Sequence, residues 1–178
     1  AFQSPPSDST RCDKALVGHW LSEGDAGRQD GELVAFVDAE CNLRVDEYRS
    51  EGIRTSAKAA LRSDRIGSER YLWLDADWAH RSFEIEPGAL AVSGDVYLFS
   101  YATSGRNRLL LHAPRHRAIA HRVLDRDISG EIIAREDSLS VRIPGDSDAI
   151  AALLRKYRLF DLKNGLGFRR ADGDEARR

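Results

Sequence analysis

The stretch Leu16-Val17-Gly18-His19-Trp20-Leu21 is the first apolar run of the chain, and Trp20 stands two residues after Gly18 within it. A long series of short segments follows in which apolar and polar residues alternate, the period typical of strands with one buried face. One amphipathic helix comes near the C-terminus. This order predicts an all-β fold, an antiparallel and mostly meander β-barrel of about 8–10 strands braced by that single helix. Closing the barrel would remove the exposed strand edges that invite aggregation.

Strand positions follow from this alternation, from β-branched and aromatic residues and from the turn residues between segments. The predicted strands are Leu16–Leu21, Leu33–Val37, Leu43–Tyr48, Tyr71–Leu74, Phe83–Ile85, Val96–Tyr101, Leu109–His112, Ile119–Leu124, Ile128–Ala134 and Leu139–Ile143, with a last extended segment over Leu159–Leu162 and Leu166–Phe168. After Pro144-Gly145, an acidic cap and apolar residues at helical spacing predict a helix near 147–158. Residues 54–65 suit a short helix and an edge strand equally.

Length and composition predict one soluble globular domain over residues 1–178. Hydrophobic residues make up 42% and charged residues 31%, too apolar for a disordered chain and too charged for a membrane protein. The net charge of −2 argues against nucleic acid as a partner, and no apolar run reaches the roughly 20 residues of a transmembrane helix. We interpret residues 1–11 as a flexible leader, 12–168 as the barrel with its helix and 169–178 as a disordered tail.

The chain has two cysteines and no methionine, even at position 1. We therefore expect the numbering to begin after a removed signal peptide, and the protein to be periplasmic or secreted. An even cysteine count in an exported chain favours a disulfide between Cys12 and Cys41. The alternative is a pair of unrelated reduced cysteines in a cytosolic protein.

Two short motifs resemble the lipocalin family. Gly18-His19-Trp20 looks like the family's Gly-x-Trp motif, and Val141-Arg142-Ile143-Pro144 is similar to its last barrel strand before the helix. The resemblance implies that Trp20 plugs the narrow end of the barrel and that Arg142 covers the indole through a cation–π contact. It also implies an interior that holds one small ligand. Another antiparallel barrel or a sandwich is the alternative fold.

An aromatic face is the candidate for ligand binding. Tyr97, Phe99 and Tyr101 share one side of a strand, with Trp73 and Trp78 upstream. We predict that Trp73, Tyr97, Phe99 and Tyr101 line an apolar cavity. The same side chains equally suit an outer surface on which the helix packs, since alternation does not say which face points inward.

The segment 106–126 is rich in arginine and histidine. Its candidate residues for an anion or partner patch are Arg106, Arg108, His112, Arg115, His116, Arg117 and His121. A hairpin turn at 114–117 would place His112 opposite His121 across two strands, which suits an anion, an acidic partner or two ligands of a metal site. Spacing specifies no third ligand, so no metal is predicted. A solvated edge hairpin is the alternative.

Familiar catalytic motifs are missing from the sequence: there is no Gly-x-Ser-x-Gly, no phosphate-cradling Gly-Lys-Ser/Thr loop, no His-Glu-x-x-His and no dinucleotide fingerprint. We predict a binding protein that is not an enzyme and uses no cofactor. The first hypothesis is an exported lipocalin-like carrier of a small apolar or amphipathic ligand. The alternative is a periplasmic protein-binding module, such as an inhibitor or immunity-type protein that acts against a secreted enzyme.

Overall fold

The computed structural model describes residues 1–23, 32–83, 91–134 and 139–171. Over these ranges the chain forms twelve β-strands, three α-helices and a 3-10 turn at Lys14–Leu16. The strands are β1 (Gly18–Ser22), β2 (Glu32–Val37), β3 (Asn42–Arg49), β4 (Gly52–Thr55), β5 (Ala59–Ala60), β6 (Arg62–Ile66), β7 (Glu69–Asp75), β8 (Val96–Ser104), β9 (Arg108–His112), β10 (Glu131–Ala134), β11 (Leu139–Arg142) and β12 (Leu166–Arg170). The helices are α1 (Ala76–Phe83), α2 (His116–Leu124) and α3 (Ser147–Lys156).

One curled antiparallel sheet dominates the fold. Its strands follow the order β4-β3-β2-β1-β12-β9-β8-β7-β6, with β5 paired to β3, while β10 and β11 form a separate two-stranded sheet. Leu61, between β5 and β6, donates its N–H to the Cys41 carbonyl at 2.9 Å, which brings the two ends of the sheet together at one corner. Within the described ranges the edge strands β4 and β6 share no ladder.

The predicted antiparallel β architecture is therefore confirmed, but the closed meander barrel with a single helix is wrong. The sheet is a half-barrel, and β12 lies between β1 and β9, so the C-terminal strand interrupts the meander. The described residues form three helices where one was expected. The predicted helix near 147–158 is confirmed as α3, and residues 54–65 are extended, contributing to β4, β5 and β6.

Helix α2 replaces the predicted strand Ile119–Leu124 and the predicted hairpin turn at 114–117. Ile119 and Val123 are four residues apart, and in a helix that spacing places both on the face that packs against the core. Over so short a segment, the apolar residues fit both a strand and a helix, and the predicted strand was wrong. Phe83, expected to begin a strand, is the last residue of α1, and residues 84 and 85 lie outside the described residues.

Apolar side chains pack on both faces of the curled sheet. We call the cluster inside the curl the inner core; it contains Leu16, Trp20, Val37, Leu43, Val45, Leu61, Leu72, Trp78, Tyr101, Leu109 and Phe168. The outer core lies between the convex side of β6 to β8, the helices α2 and α3, and β11; it contains Tyr71, Trp73, Leu98, Ile119, Val141, Ile143, Ile150, Leu154 and Phe160. Alternation along β7 and β8 sends successive side chains to the two cores.

Part of the segment 1–11, which was predicted to be a flexible leader, packs against the rest of the chain. Phe2 is only 2% exposed and belongs to the outer core. Its N–H donates to the Val96 carbonyl at 2.9 Å, and the Val96 N–H donates back to the Phe2 carbonyl at 2.8 Å. Ser7 Oγ donates to Asp64 at 2.7 Å. At the other end β12 extends to Arg170, so the expected disordered tail begins as strand, and residues 172–178 lie outside the described residues.

The predicted disulfide is confirmed. Cys12 and Cys41 are bonded, with their Cα atoms 6.1 Å apart. The bond ties the segment before the 3-10 turn to the residue that precedes β3. It therefore fixes the start of β1 against the β2–β3 hairpin.

Candidate ligand cavity

The concave face of the curled sheet lines an open apolar cavity of about 190 Å³, which we call the inner chamber. Side chains at alternate positions of β1, β2, β3, β7, β8, β9 and β12 point into it, joined by residues from the 3-10 turn and α1. All of the lining residues are apolar: Leu16, Trp20, Leu33, Ala35, Val37, Leu43, Val45, Leu61, Leu72, Leu74, Trp78, Phe83, Phe99, Leu109, Leu111, Leu166 and Phe168. Such a lining favours an apolar occupant over water, because water needs polar partners to stay.

Trp20 lines the inner chamber and is 2% exposed. Its indole Nε1–H donates to the Leu16 carbonyl at 2.8 Å, so the polar edge of the ring is satisfied within the 3-10 turn. The guanidinium of Arg170 lies 4.4 Å from the ring centroid and donates to the carbonyls of Val17 at 2.7 Å and Ala15 at 3.2 Å. Gly18 has a φ of 135°, which residues with a Cβ rarely adopt, and a Cβ there would also displace the Arg170 guanidinium.

Arg142 does not cover Trp20, so this predicted role is wrong. Arg142 lies on β11, and its Nε and Nη2 donate to the two carboxylate oxygens of Asp95 at 2.7 and 3.0 Å. Its Nη1 donates to Glu131 at 3.2 Å. The contact holds the β10–β11 hairpin against the start of β8, on the side of the sheet opposite the inner chamber.

Helix α1 supplies the aromatic side chains at another part of the chamber wall. Asp75 begins the helix by accepting the Trp78 N–H at 2.7 Å, the bond expected of a helix N-cap. The Trp78 indole Nε1–H donates to the Ala57 carbonyl at 2.8 Å, and its ring meets Phe83 edge to face at 5.6 Å. These contacts fix Trp78 and Phe83 as rigid parts of the wall.

A second cavity of about 390 Å³, the outer chamber, adjoins the first. It is lined by Ala1, Leu74, Trp78, Ala79, Phe83, Tyr97, Phe99, His116, Ser140 and Val141. Leu74, Trp78, Phe83 and Phe99 line both chambers, so the two cavities meet at these side chains. Unlike the inner chamber, the outer one has polar side chains in its wall.

Tyr97 and His116 define the electrostatics of the outer chamber. The Tyr97 hydroxyl lies 2.7 Å from His80 Nε2 on α1. Burial, together with the nearby negative charge of Asp95, raises the pKa of Tyr97, so the hydroxyl keeps its proton. Burial also lowers the pKa of His116 by penalising the charged imidazolium, which favours the neutral ring at pH 7.

The structure separates the four predicted ligand-binding residues. Phe99 lines both chambers and Tyr97 lines the outer one. Tyr101 lies on the same face of β8 as Tyr97 and Phe99, but it contacts other protein residues instead of lining a chamber. Its hydroxyl donates to Asp13 at 2.9 Å, and its ring lies 4.9 Å from the Arg70 guanidinium. Trp73 faces the outer core instead. His80 was not predicted, although Asp75 offers a helix-start signal just before it.

The predicted arginine and histidine patch lies in three places. Arg106 and Arg108 are at the β8–β9 turn, where Arg108 donates to Glu23 at 2.7 Å. His112 is buried at the other end of β9, with Nδ1 3.0 Å from the Asp161 carbonyl. Arg115 immediately precedes α2, and His116, Arg117 and His121 lie on it. His121 is thus on a helix, and the predicted cross-strand pair with His112 is wrong.

Other site types receive no support in the part of the chain that the structure describes. That part contains no group of three or more His, Cys, Asp or Glu side chains arranged to hold a metal ion. None of its helices has the length and apolar character that a bilayer crossing requires. No known protein family, curated protein or solved structure matches this chain.

Proposed function

We propose that this protein is an extracytoplasmic binding protein that carries a small apolar or amphipathic molecule in the inner chamber. The observation that carries the proposal is the apolar lining of that chamber, formed by alternate side chains of a curled sheet. Its volume of about 190 Å³ exceeds the ~150 Å³ of a dry cavity known to hold benzene. An apolar ring or a short alkyl chain is therefore an occupant of suitable size.

Two further features support this proposal. The Cys12–Cys41 disulfide suits an oxidising compartment, because thiols in the cytosol are kept reduced. The indole of Trp20, set under an arginine at one end of a curled antiparallel sheet, supports a lipocalin-like version of the carrier. The protein-binding module stays a prediction, since its arginine and histidine residues do not form one surface.

Binding of propylbenzene, followed through the methyl signals of leucine and valine in NMR spectra, tests this function. We expect shifts at Val45, Leu72 and Leu109, which line the inner chamber, and none at the exposed Leu124. Ala35→Leu fills part of the chamber and should weaken binding about tenfold or more. Ala102→Leu makes the same change at an exposed position of β8 and should leave the affinity unchanged. Shifts spread over the surface, or equal affinities in both variants, would contradict the proposal.

A further inference from the structure

Tyr97 is the polar side chain best placed to recognise a ligand in the outer chamber. A phenolic hydroxyl offers one donor and two acceptor sites. His80 Nε2 occupies one of them, at 2.7 Å. If His80 accepts, the oxygen of Tyr97 keeps both acceptor sites, and if His80 donates, it keeps one acceptor and the donor. An acceptor site therefore remains for either tautomer, and only a ligand that donates a hydrogen bond can use it in both cases.

The charge of the chamber wall limits the ligand further. Among the described residues that line the outer chamber, no side chain is Asp, Glu, Lys or Arg, and burial lowers the pKa of the Ala1 amine to about 6, so that this group is mostly neutral at pH 7. The imidazole of His116 is favoured in its neutral form by burial. A charged group placed there would lose its hydration without gaining a side chain of opposite charge, which is unfavourable.

We propose that the ligand is an amphipathic molecule with one uncharged hydrogen-bond donor, a hydroxyl or an amide N–H, which donates to the Tyr97 hydroxyl in the outer chamber. Its apolar body extends past Phe99 and Trp78 into the inner chamber. Because four residues are common to both chambers, one molecule that lies against them can reach both cavities. This inference rests on the proposed function and adds the chemistry of the polar group.

Three probes with the same apolar body test it: 3-phenylpropan-1-ol, its methyl ether, which cannot donate, and 3-phenylpropanoate, which is charged. Titration calorimetry of the full chain should give an alcohol affinity about fivefold above that of the ether, the effect of one net hydrogen bond. The carboxylate should bind more weakly than the alcohol. Tyr97→Phe should abolish the preference for the alcohol over the ether.

Tyr48→Phe is the matched control. Leu43 and Val45 of β3 line the inner chamber, so Tyr48, at an odd spacing from them, lies on the opposite face, and its variant should bind all three probes like the original protein. The inference is overturned if the alcohol and the ether bind equally, if the carboxylate binds more tightly than the alcohol, or if the preference for the alcohol survives Tyr97→Phe. In each of these cases, binding of propylbenzene would still support the carrier function. If neither propylbenzene nor any of the three probes binds, the carrier function and the inference both fail.

Discussion

A guanidinium is stable over a buried indole only where backbone carbonyls or carboxylates accept its N–H groups. Arg170 meets this condition because β12 pairs with β1 and places it directly opposite Trp20, beside the carbonyls of Ala15 and Val17. Arg142 finds its acceptors in Asp95 instead. The Gly-x-Trp motif singles out a tryptophan that is buried and lines the inner chamber, and its role as a barrel plug stays a prediction. The covering arginine is 150 residues away and comes from a strand pairing that local sequence does not encode.

The Asp95–Arg142 pair leads to a prediction about a single residue. Asp95 is 2% exposed, and the Arg142 side chain is 12% exposed, so removing the arginine leaves a buried carboxylate without its main partner. Arg142→Met should lower the free energy of unfolding by about 3 to 5 kcal/mol, measured by urea denaturation. Adding Asp95→Asn should recover part of this loss, because it removes the unpaired charge.

The control for this experiment is Lys58→Met. Lys58 pairs with Asp38 at 3.2 Å, but its side chain is 61% exposed, and the loss of such a pair should change the free energy of unfolding by less than about 1 kcal/mol. If Arg142→Met and Lys58→Met lowered the free energy of unfolding equally, the buried Asp95–Arg142 pair would contribute no more to stability than the exposed Asp38–Lys58 pair.

At the scale of elements, an N-cap residue decides whether a helix can be predicted. Helices α1 and α3 each follow an aspartate that caps them, whereas α2 has no such residue. Asp146 precedes α3 and accepts the Ala149 N–H at 2.9 Å, and the apolar spacing behind it is helical. The residue before α2 is Arg115, which makes no side-chain cap, so the amphipathic pattern there competes with a strand pattern of similar quality. Asp75 caps α1, and this signal was available in the sequence.

The cap of α3 can be tested directly. Asp146→Ala removes the acceptor for the Ala149 N–H and should lower the free energy of unfolding by about 1 kcal/mol in chemical denaturation. Asp148→Ala, two residues further on, is a control in the first turn of the same helix. It loses only a favourable interaction with the helix dipole, worth a few tenths of a kcal/mol. A larger loss for Asp148→Ala than for Asp146→Ala would contradict this account of how α3 begins.

At the scale of the whole molecule, alternation predicts that a strand has two faces but not which core each face joins. Both faces of β7 and β8 are covered, one by the inner core and the other by α2 and α3. Apolar residues are therefore favourable on both faces of these strands. The sequence gives no signal that Trp73 and Phe99 lie on different faces of the sheet. The sequence indicated that aromatic side chains could line a cavity, but not which residues would form its walls. Its walls depend on the order of strands in the sheet, which joins residues from both ends of the chain.

The disulfide acts on this whole arrangement through the unfolded state. It closes a loop with a sequence separation of 29 residues, and in the chain-entropy model such a loop contributes about 3 to 4 kcal/mol. The double variant Cys12→Ser/Cys41→Ser should therefore unfold at a lower urea concentration, with a free energy of unfolding about 3 to 4 kcal/mol lower. Adding reductant should destabilise the original protein and leave the variant unchanged. Alkylation of the native protein without reductant should modify no thiol, and two reactive thiols there would remove both the stabilisation and the main support for an oxidising compartment.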